Sequence, residues 1–251
     1  GVNFRDGLNV MGLYPGDPGP LGGECTGRVE RVGADVTEVG TGDVVVAFAP
    51  GSHDGYVLAE AALTAPRPEW MSPEEAITIP ISYLTASYTL ERLARMKSGD
   101  RVLIHAATGG VGLAAVRLAQ RAGAEIFATA GSDAKRNYLR GLGVRHVYNS
   151  RSLDFADQIL AATNDAGVDI ALNSIADDFV AASFRVVARG GRFLEVGKRG
   201  IWTEDQVALL DRDIEYHVVD WGEVASQDPE SVGNLLRSIM QAASRGEISP
   251  L

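Results

Sequence analysis

The sequence predicts an α/β fold in which helices cover both faces of a parallel, doubly wound sheet, preceded by a β-rich region. From about residue 83, apolar segments typical of buried strands alternate with amphipathic segments typical of helices. Strands separated by single helices form parallel sheets. Before that point the chain is rich in glycine and proline, with β-type segments TGRVERVG (26–33) and DVVVAFA (43–49) between turns.

The elements of the α/β region follow one another in a regular order. The strand segments, in order, are RVLIHA, AEIFATA, HVYNS, VDIALNS, RFLEVG and IEYHVV. The helical segments between them include VGLAAVRLAQRAG, DAKRNYLRGLG, LDFADQILAAT and ADDFVAASFRVVARG. This alternation has neither a repeat of solenoid length nor a low-complexity tract, so it indicates a single sheet with crossover helices.

The change in pattern also sets the expected domain boundaries. We assign residues 1–82 to a β-rich domain, 83–248 to the α/β domain and 249–251 to the start of a return to the first domain. The chain opens at Gly1 in what resembles a strand-to-loop phrase and stops at ISPL without a closing element. We therefore expect a segment of a longer polypeptide whose β-rich domain is incomplete at both chain ends.

Composition excludes several classes of partner. The 251 residues carry 33 acidic and 23 basic side chains, a net charge of -10, without any block rich in lysine and arginine. Nucleic acid and anionic membranes are therefore not expected partners. No signal peptide is visible and apolar runs such as VVVAFA are too short to cross a bilayer, which favours a soluble protein. The single cysteine, Cys25, cannot form an internal disulfide and fits a reducing, cytoplasmic location.

The segment HAATGGVGLAAV (105–116) has the pattern of a dinucleotide-binding turn. Ala107, Gly109 and Gly112 occupy its three small positions, and the segment lies between a predicted strand and a predicted helix. Small residues permit a tight turn, let the backbone approach a pyrophosphate and place a helix N-terminus against its charge. The predicted binding loop consists of Ala107, Thr108, Gly109, Gly110, Val111 and Gly112. The alternative is a glycine-rich turn that packs helix on strand without a ligand.

The next strand ends in ATAGSDAKR (128–136), where an NAD-binding chain usually carries an acidic residue for the ribose. Ser132, Lys135 and Arg136 instead offer donors for a 2'-phosphate, which favours NADPH over NADH. Asp133 competes with this interpretation, but it would lie in the first turn of a helix capped by Ser132, where acidic residues are common. A solvated helix face remains the alternative for Lys135 and Arg136.

Two further polar residues follow neighbouring strand segments. Lys198 comes directly after RFLEVG and Asp220 directly after IEYHVV. Ligands of open α/β sheets bind beyond the carboxyl ends of the strands, so these side chains are candidate catalytic groups. A surface salt bridge is the alternative.

Several phrases together carry a resemblance to a known family. They are GVNFRDGLNVMGLYPG, LGGECTGRVERVG, SYLTASYTL, VLIHAATGGVGLAAVRLAQ, NSRSLDF and LNSIADDFVAASFRVVARGGRFLEVGK. In this order they resemble the enoyl reductase domain of modular polyketide synthases, of the medium-chain dehydrogenase/reductase superfamily, related to the enoyl reductase of animal fatty acid synthase. The resemblance spans essentially the whole chain.

The resemblance implies a Rossmann domain with a GroES-like substrate domain, and NADPH-dependent reduction of a trans-2-enoyl thioester carried on an acyl carrier protein. Hydride would go to the β-carbon and a proton to the α-carbon. The resemblance also implies neighbouring ketoreductase and dehydratase domains. It implies Lys198, Asp220 and Tyr14 (in GLYPG) as candidate acids, and links the tyrosine to the configuration of a methyl-bearing α-carbon. Thr85 and Arg151, within the matching phrases, join the expected cofactor-binding residues. For Tyr14, packing in a turn is the alternative.

Other features of the sequence bear on metal and on alternative functions. Gly22, Gly23 and Glu24 stand where zinc-dependent relatives show Gly-His-Glu, so we expect no metal. His105, in the strand before the glycine turn, is expected to be a core histidine. Alternative functions are a free-standing quinone or enone reductase, an inactive NADPH-binding scaffold, or an enzyme whose enolate expels a leaving group and closes a ring.

Overall fold

The computed structural model describes residues 1–251, and the chain folds into two compact units. The first unit consists of Gly1–Leu84 and Trp221–Leu251, and the second of Thr85–Asp220. The predicted domain boundaries were therefore wrong at the carboxyl side, because the chain returns to the first unit at Trp221 rather than at residue 249.

The last helix explains the early return. Helix Pro229–Ser244 packs on the 3₁₀ turn Ala61–Leu63 and on the strand that follows it. The approach is close, because a Cβ on Gly233 would lie 1.7 Å from the carbonyl oxygen of Ala62. Arg237 donates a hydrogen bond to the same carbonyl (2.9 Å). The sequence separation of these partners hid the contact from a local reading of the chain.

The first unit contains a small antiparallel sheet in the strand order β1-β2-β3. Its elements are α1 (Phe4–Val10), β1 (Glu24–Arg28), β2 (Val44–Phe48), β3 (Thr64–Pro66), α2 (Pro73–Ala76), the start of α3 (Pro80–Ser87), α9 (Trp221–Gln227) and α10 (Pro229–Ser244). The apolar side chains of β2 are buried, as expected for the central strand of a sheet.

The amino-terminal phrase is a helix, so the expected strand-to-loop segment was wrong. The carboxylate of Asp6 accepts a hydrogen bond from the backbone N–H of Asn3 (2.7 Å), which stabilises the first turn of α1. Its other oxygen accepts the N–H of Gly22 (2.9 Å). Asp6 is buried, and it ties the helix to the segment that enters β1.

The second unit contains a six-stranded parallel sheet in the order β6-β5-β4-β7-β8-β9, which confirms the predicted α/β, doubly wound fold. After α3 and a π-helical turn (Tyr88–Leu93), its elements are β4 (Arg101–Ile104), α4 (Gly110–Ala122), β5 (Glu125–Ala130), α5 (Asp133–Gly141), β6 (His146–Asn149), α6 (Asp154–Ala162), β7 (Val168–Asn173), α7 (Asp178–Val186), β8 (Val187–Glu195), α8 (Glu204–Ala208) and β9 (Glu215–Val218). The strand order reverses between β4 and β7, and ligands of such sheets bind at this switch point.

Aromatic packing and one histidine build the core of the second unit. The rings of Phe184 and Phe193 stack with centroids 3.8 Å apart. His105 is buried, and its two ring nitrogens form hydrogen bonds with the hydroxyl groups of Thr129 (2.9 Å) and Ser183 (2.8 Å). Burial lowers the pKa of His105 to about 3. The side chain is therefore a satisfied, neutral core histidine.

None of the ten α-helices combines the length and the apolar character needed to span a bilayer.

Candidate active site

The glycine-rich segment forms a sharp turn between β4 and α4. The N–H of Ala107 donates to the carbonyl of Thr129 on β5 (3.0 Å), and the N–H of Gly109 donates to the carbonyl of Ala106 (2.8 Å). Ala106 has a left-handed φ of 46°, which reverses the chain within one residue. The turn therefore delivers the N-terminus of α4 to the carboxyl end of β4.

Gly112 allows this turn to lie directly on the helix. A Cβ at this position would be 2.5 Å from the carbonyl oxygen of Ala106 and 2.6 Å from the Cα of Ala107, which no real Cβ tolerates. At the start of the helix, Gly109 and Gly110 are exposed, and no side chain caps the helix. The free amides and the dipole of α4 thus fit a pyrophosphate. Of the predicted loop residues, 107–109 form this turn and 110–112 form the first turn of α4.

The end of β5 carries the residues expected to contact a 2'-phosphate. Ser132 caps α5 by accepting the N–H of Lys135 (3.4 Å). Arg136 is already engaged, because its guanidinium donates to the carbonyl of Ala130 (3.0 Å) and pairs with Asp133. The side chain of Lys135 is exposed and has no acidic partner.

Arg151 lies across the same strand end from the loop after β6. Its Nε would be 2.9 Å from a Cβ at position 131, so glycine at that position leaves room for the guanidinium. Arg151 is exposed and has no carboxylate partner. Lys135 and Arg151 are therefore the cations free to bind a phosphate, whereas Arg136 braces the turn.

Thr85 lies at the start of the second unit, within α3. It is buried, and its carbonyl accepts a hydrogen bond from the hydroxyl of Thr89 (2.7 Å).

Lys198 and Asp220 meet at the carboxyl ends of β8 and β9. The Nζ of Lys198 donates to the carboxylate of Asp220 (2.8 Å) and to the carbonyl of Val219 (3.3 Å). The lysine side chain is only 22% exposed and the aspartate 45%. The ammonium group is thus held in a partly desolvated position at the carboxyl edge of the sheet, whereas its carboxylate partner is more exposed to solvent.

Tyr14 belongs to the first unit, in the loop after α1. The guanidinium carbon of Arg5 lies 5.5 Å from the centre of its ring, a cation–π contact. Arg5 also donates to the carbonyl of Pro18. The ring of Tyr14 is half-buried, and no protein group forms a hydrogen bond with its hydroxyl.

A buried acidic residue that was not predicted from the sequence lies at the same sheet edge. Glu195 ends β8 and is fully buried, and it accepts hydrogen bonds from the side-chain amide of Asn173 (2.6 Å) and the N–H of Gly197 (2.7 Å). Burial raises the pKa of Glu195 to about 7, an effect that these two hydrogen bonds and the charge of Lys198 only partly offset. The available signal was a carboxylate between the apolar residues Leu194 and Val196 of the segment RFLEVG.

The residues present do not fit a zinc ion. The structure brings together no group of three or more His, Cys, Asp or Glu side chains that could hold a metal. No step of the chemistry is therefore assigned to a metal.

Comparison with known proteins agrees with this geometry. A family model described as zinc-binding dehydrogenase matches residues 110–224. A quinone oxidoreductase of Escherichia coli, solved in complex with NADPH, is 26% identical with a TM-score of 0.87, covering 99% of this chain and 78% of that one. The fold and the cofactor edge thus define an oxidoreductase of the medium-chain dehydrogenase/reductase superfamily.

Proteins of higher sequence identity show to which family within this superfamily the chain belongs. The CurK enoyl reductase is 39% identical, with a TM-score of 0.88, over 100% of this chain and 79% of that one. The CurF enoyl reductase cyclopropanase from the curacin A pathway is 35% identical, with a TM-score of 0.93, at the same coverage. A phenolphthiocerol/phthiocerol polyketide synthase of Mycobacterium tuberculosis is 42% identical over 100% of this chain. The chain spans 12% of that synthase's length. It belongs to the enoyl reductase domains of polyketide synthases.

Proposed function

We propose that the chain reduces the trans-2-enoyl thioester held by an acyl carrier protein to the saturated acyl thioester, with NADPH as the reductant, during polyketide or fatty acid chain elongation. The observation that carries the proposal is the arrangement of one sheet edge. The dinucleotide turn follows β4, and the Lys198–Asp220 pair follows β8 and β9 of the same parallel sheet. The proposed cofactor turn and the proposed acid–base pair would therefore share one edge of the sheet, the edge where ligands of such folds bind.

Preference for NADPH is supported by the charge at the end of β5. Lys135 and Arg151 are exposed cations without acidic partners, and Ser132, which caps the helix that carries Lys135, offers a hydroxyl group. A 2'-phosphate would satisfy both cations, whereas the hydroxyl of NADH would satisfy neither. When bound, NADPH supplies the hydride that adds to the β-carbon.

The residues of the chain then handle the negative charge and the proton. Hydride addition moves an electron pair onto the thioester oxygen and the α-carbon, giving an enolate. The ammonium of Lys198 can stabilise that oxygen by a hydrogen bond or donate the proton that the α-carbon needs. Asp220 orients the ammonium through its 2.8 Å hydrogen bond. Tyr14 offers a second donor, a phenol without an internal partner, for delivery to one face of the α-carbon.

The proposed partners follow from the relatives. The phenolphthiocerol/phthiocerol polyketide synthase is many times the length of this chain. We propose that the enoyl chain reaches the site on a carrier protein of such an assembly. We assign the carrier protein, ketoreductase and dehydratase as the neighbours that would deliver and prepare the enoyl chain.

The proposal is tested by NADPH oxidation with a panel of substrates in the full-length protein. Crotonyl- and 2-methylcrotonyl-pantetheine thioesters should be reduced, and carrier-bound forms faster than free ones. Faster turnover with free quinones would identify a quinone reductase instead. Cofactor binding without any oxidation of NADPH would identify an inactive scaffold. The configuration of the 2-methyl product then reports the protonated face.

A second fate of the enolate has specific support. The CurF relative, with a TM-score of 0.93, is named as a cyclopropanase. If the substrate carries a leaving group on the γ-carbon, the enolate α-carbon can form a bond to that carbon and expel the group as an anion, closing a three-membered ring. A 4-chlorocrotonyl thioester separates the two fates: 4-chlorobutyryl thioester indicates protonation, and a cyclopropane thioester with released chloride indicates ring closure.

A further inference from the structure

The turn after β8 carries a buried carboxylate whose contacts reach the proposed catalytic lysine. We propose that Glu195 is a positioning residue for Lys198, which in its ionised form fixes the turn and holds the ammonium group in place for the reaction. The inference rests on the proposed function for its link to catalysis, but its geometric part can be tested separately.

Glu195 joins two adjacent strands and the turn beyond them. Its Oε2 accepts from the side-chain amide of Asn173 at the end of β7 (2.6 Å), and that amide also donates to the carbonyl of Ile175 (2.8 Å). Its Oε1 accepts the N–H of Gly197 (2.7 Å). A Cβ at residue 197 would lie 2.7 Å from this oxygen, so glycine permits the close approach. The carboxylate therefore determines the path of the chain directly before Lys198.

The main chain of Glu195 is also linked to Lys198 by hydrogen bonds. The backbone carbonyl of Glu195 accepts the N–H of Val219 (2.9 Å), and the carbonyl of Val219 in turn accepts the Nζ of Lys198 (3.3 Å). The same ammonium reaches Asp220 (2.8 Å). The main chain of Glu195 thus fixes the segment whose carbonyl and carboxylate accept from Lys198. The side chain of Glu195 fixes the turn that carries Lys198.

The charge of Glu195 matters to this arrangement. The titratable groups that act on it are Lys198 in its own turn and Tyr216 on β9, whose pKa Glu195 helps to raise, whereas β7 presents the uncharged amide of Asn173. Because the pKa of Glu195 is raised to about 7, its charge changes close to neutral pH. Ionised Glu195 accepts two charge-assisted hydrogen bonds and attracts the ammonium, and protonation weakens both effects.

Glu195→Gln is the direct test of the catalytic part. The variant keeps the shape but removes the charge, and its amide N–H₂ must face one of the two donors, the N–H₂ of Asn173 or the N–H of Gly197. We expect kcat to fall about tenfold while KM for NADPH stays within about twofold, with loss of the rise in activity between about pH 6 and pH 8. Glu204→Gln is the matched control, since Glu204 is exposed on α8 and has no ion pair. An unchanged pH profile in Glu195→Gln overturns the catalytic role.

A labelling experiment tests the geometry without depending on turnover. The rate at which an acylating reagent modifies Lys198, relative to exposed Lys97, is measured by mass spectrometry across neutral pH. In the wild-type protein we expect the ratio of the two rates to change in a step near about pH 7, and in Glu195→Gln we expect a ratio raised several-fold without the step. A wild-type ratio that shows no step overturns the inference, even if the variant fails to fold. Absence of enoyl reduction with the step present would contradict the proposed function alone.

Discussion

The two halves of the parallel sheet build their parts of the site by different means. In the half formed by β4, β5 and β6, backbone amides and glycines form most of the site, as at Gly112, which lies against the carbonyl of Ala106. In the half formed by β7, β8 and β9, side chains from three strands meet, as in the contacts of Glu195 and Lys198. The proposed cofactor binding thus depends on a local motif, whereas the proposed chemistry depends on residues that only the fold brings together.

The largest effect is expected from a substitution in the half of the sheet formed by β4, β5 and β6. Gly112→Val places a side chain against the carbonyl of Ala106 and the Cα of Ala107, so the helix must move away from the turn. We expect NADPH affinity to fall at least about 100-fold in a fluorescence titration. Gly141→Ala is the control, because a Cβ at that helical position meets nothing within 4 Å. Equal affinity in Gly112→Val would remove this turn from the cofactor site.

The next largest effect is expected from substitutions at the ends of β8 and β9, which should lower kcat without changing NADPH binding. Lys198→Met should lower kcat about 100-fold, because the enolate loses its cationic partner, with NADPH affinity within about twofold. Asp220→Asn, which keeps a hydrogen-bond acceptor for the ammonium, should cost less. Steady-state kinetics and a binding titration on the same preparations give both values. A lysine variant with normal kcat contradicts the proposed role.

A smaller effect should show which arginine near the end of β5 binds the 2'-phosphate. Arg151→Ser removes an unpaired cation beside Gly131, so we expect about tenfold weaker NADPH binding and unchanged NADH binding. Arg136→Gln should change the ratio of the two affinities less, because that guanidinium already binds Ala130 and Asp133. The reverse order of effects would assign the phosphate to Arg136.

The smallest effect concerns stability and compares two buried ionisable groups. The pKa of His105 is lowered to about 3, so its contribution is present above the unfolded value of 6.5 and is lost as pH falls toward 3. The pKa of Glu195 is raised from 4.5 to about 7, so its contribution is present below 4.5 and is lost as pH rises through 7. The two trends oppose each other in mildly acidic solution.

In Glu195→Gln, the loss of stability on acidification that is due to His105 should therefore no longer be opposed by Glu195. We expect amide hydrogen exchange in β4, corrected for its intrinsic pH dependence, to accelerate more steeply on acidification in this variant than in the wild-type protein. An identical slope in both would contradict the opposed contributions.

Much of the second unit was predictable because its signals are local. The strands β4, β5 and β7 are short, mainly apolar segments, and the turn after β4 carries its small residues in one run. The ends of β8 and β9 place Lys198 and Asp220 beside each other simply because neighbouring parallel strands end at one edge.

The features that were missed depend on distant partners or on local ambiguity. Helix α10 packs against Ala62, far away in the sequence, so nothing in its own residues assigned it to the first unit. Helix α1 exposes Phe4 and Val10, which left it without the periodic pattern of a buried helix face. Glu195 was hidden inside an apolar strand, and its role requires Asn173 from the neighbouring strand.

The proposed reaction is tested most directly by a single turnover with NADPH that carries deuterium at C4 of the nicotinamide ring. The full-length protein is mixed in ordinary water with the labelled cofactor and trans-2-methylcrotonyl-pantetheine, and the product is analysed by mass spectrometry and NMR. We expect one deuterium on the β-carbon and a hydrogen from solvent on the α-carbon, in one configuration. A bound cofactor that is not consumed, or a product without deuterium on the β-carbon, would contradict the proposal that the two halves of this sheet together reduce an enoyl thioester.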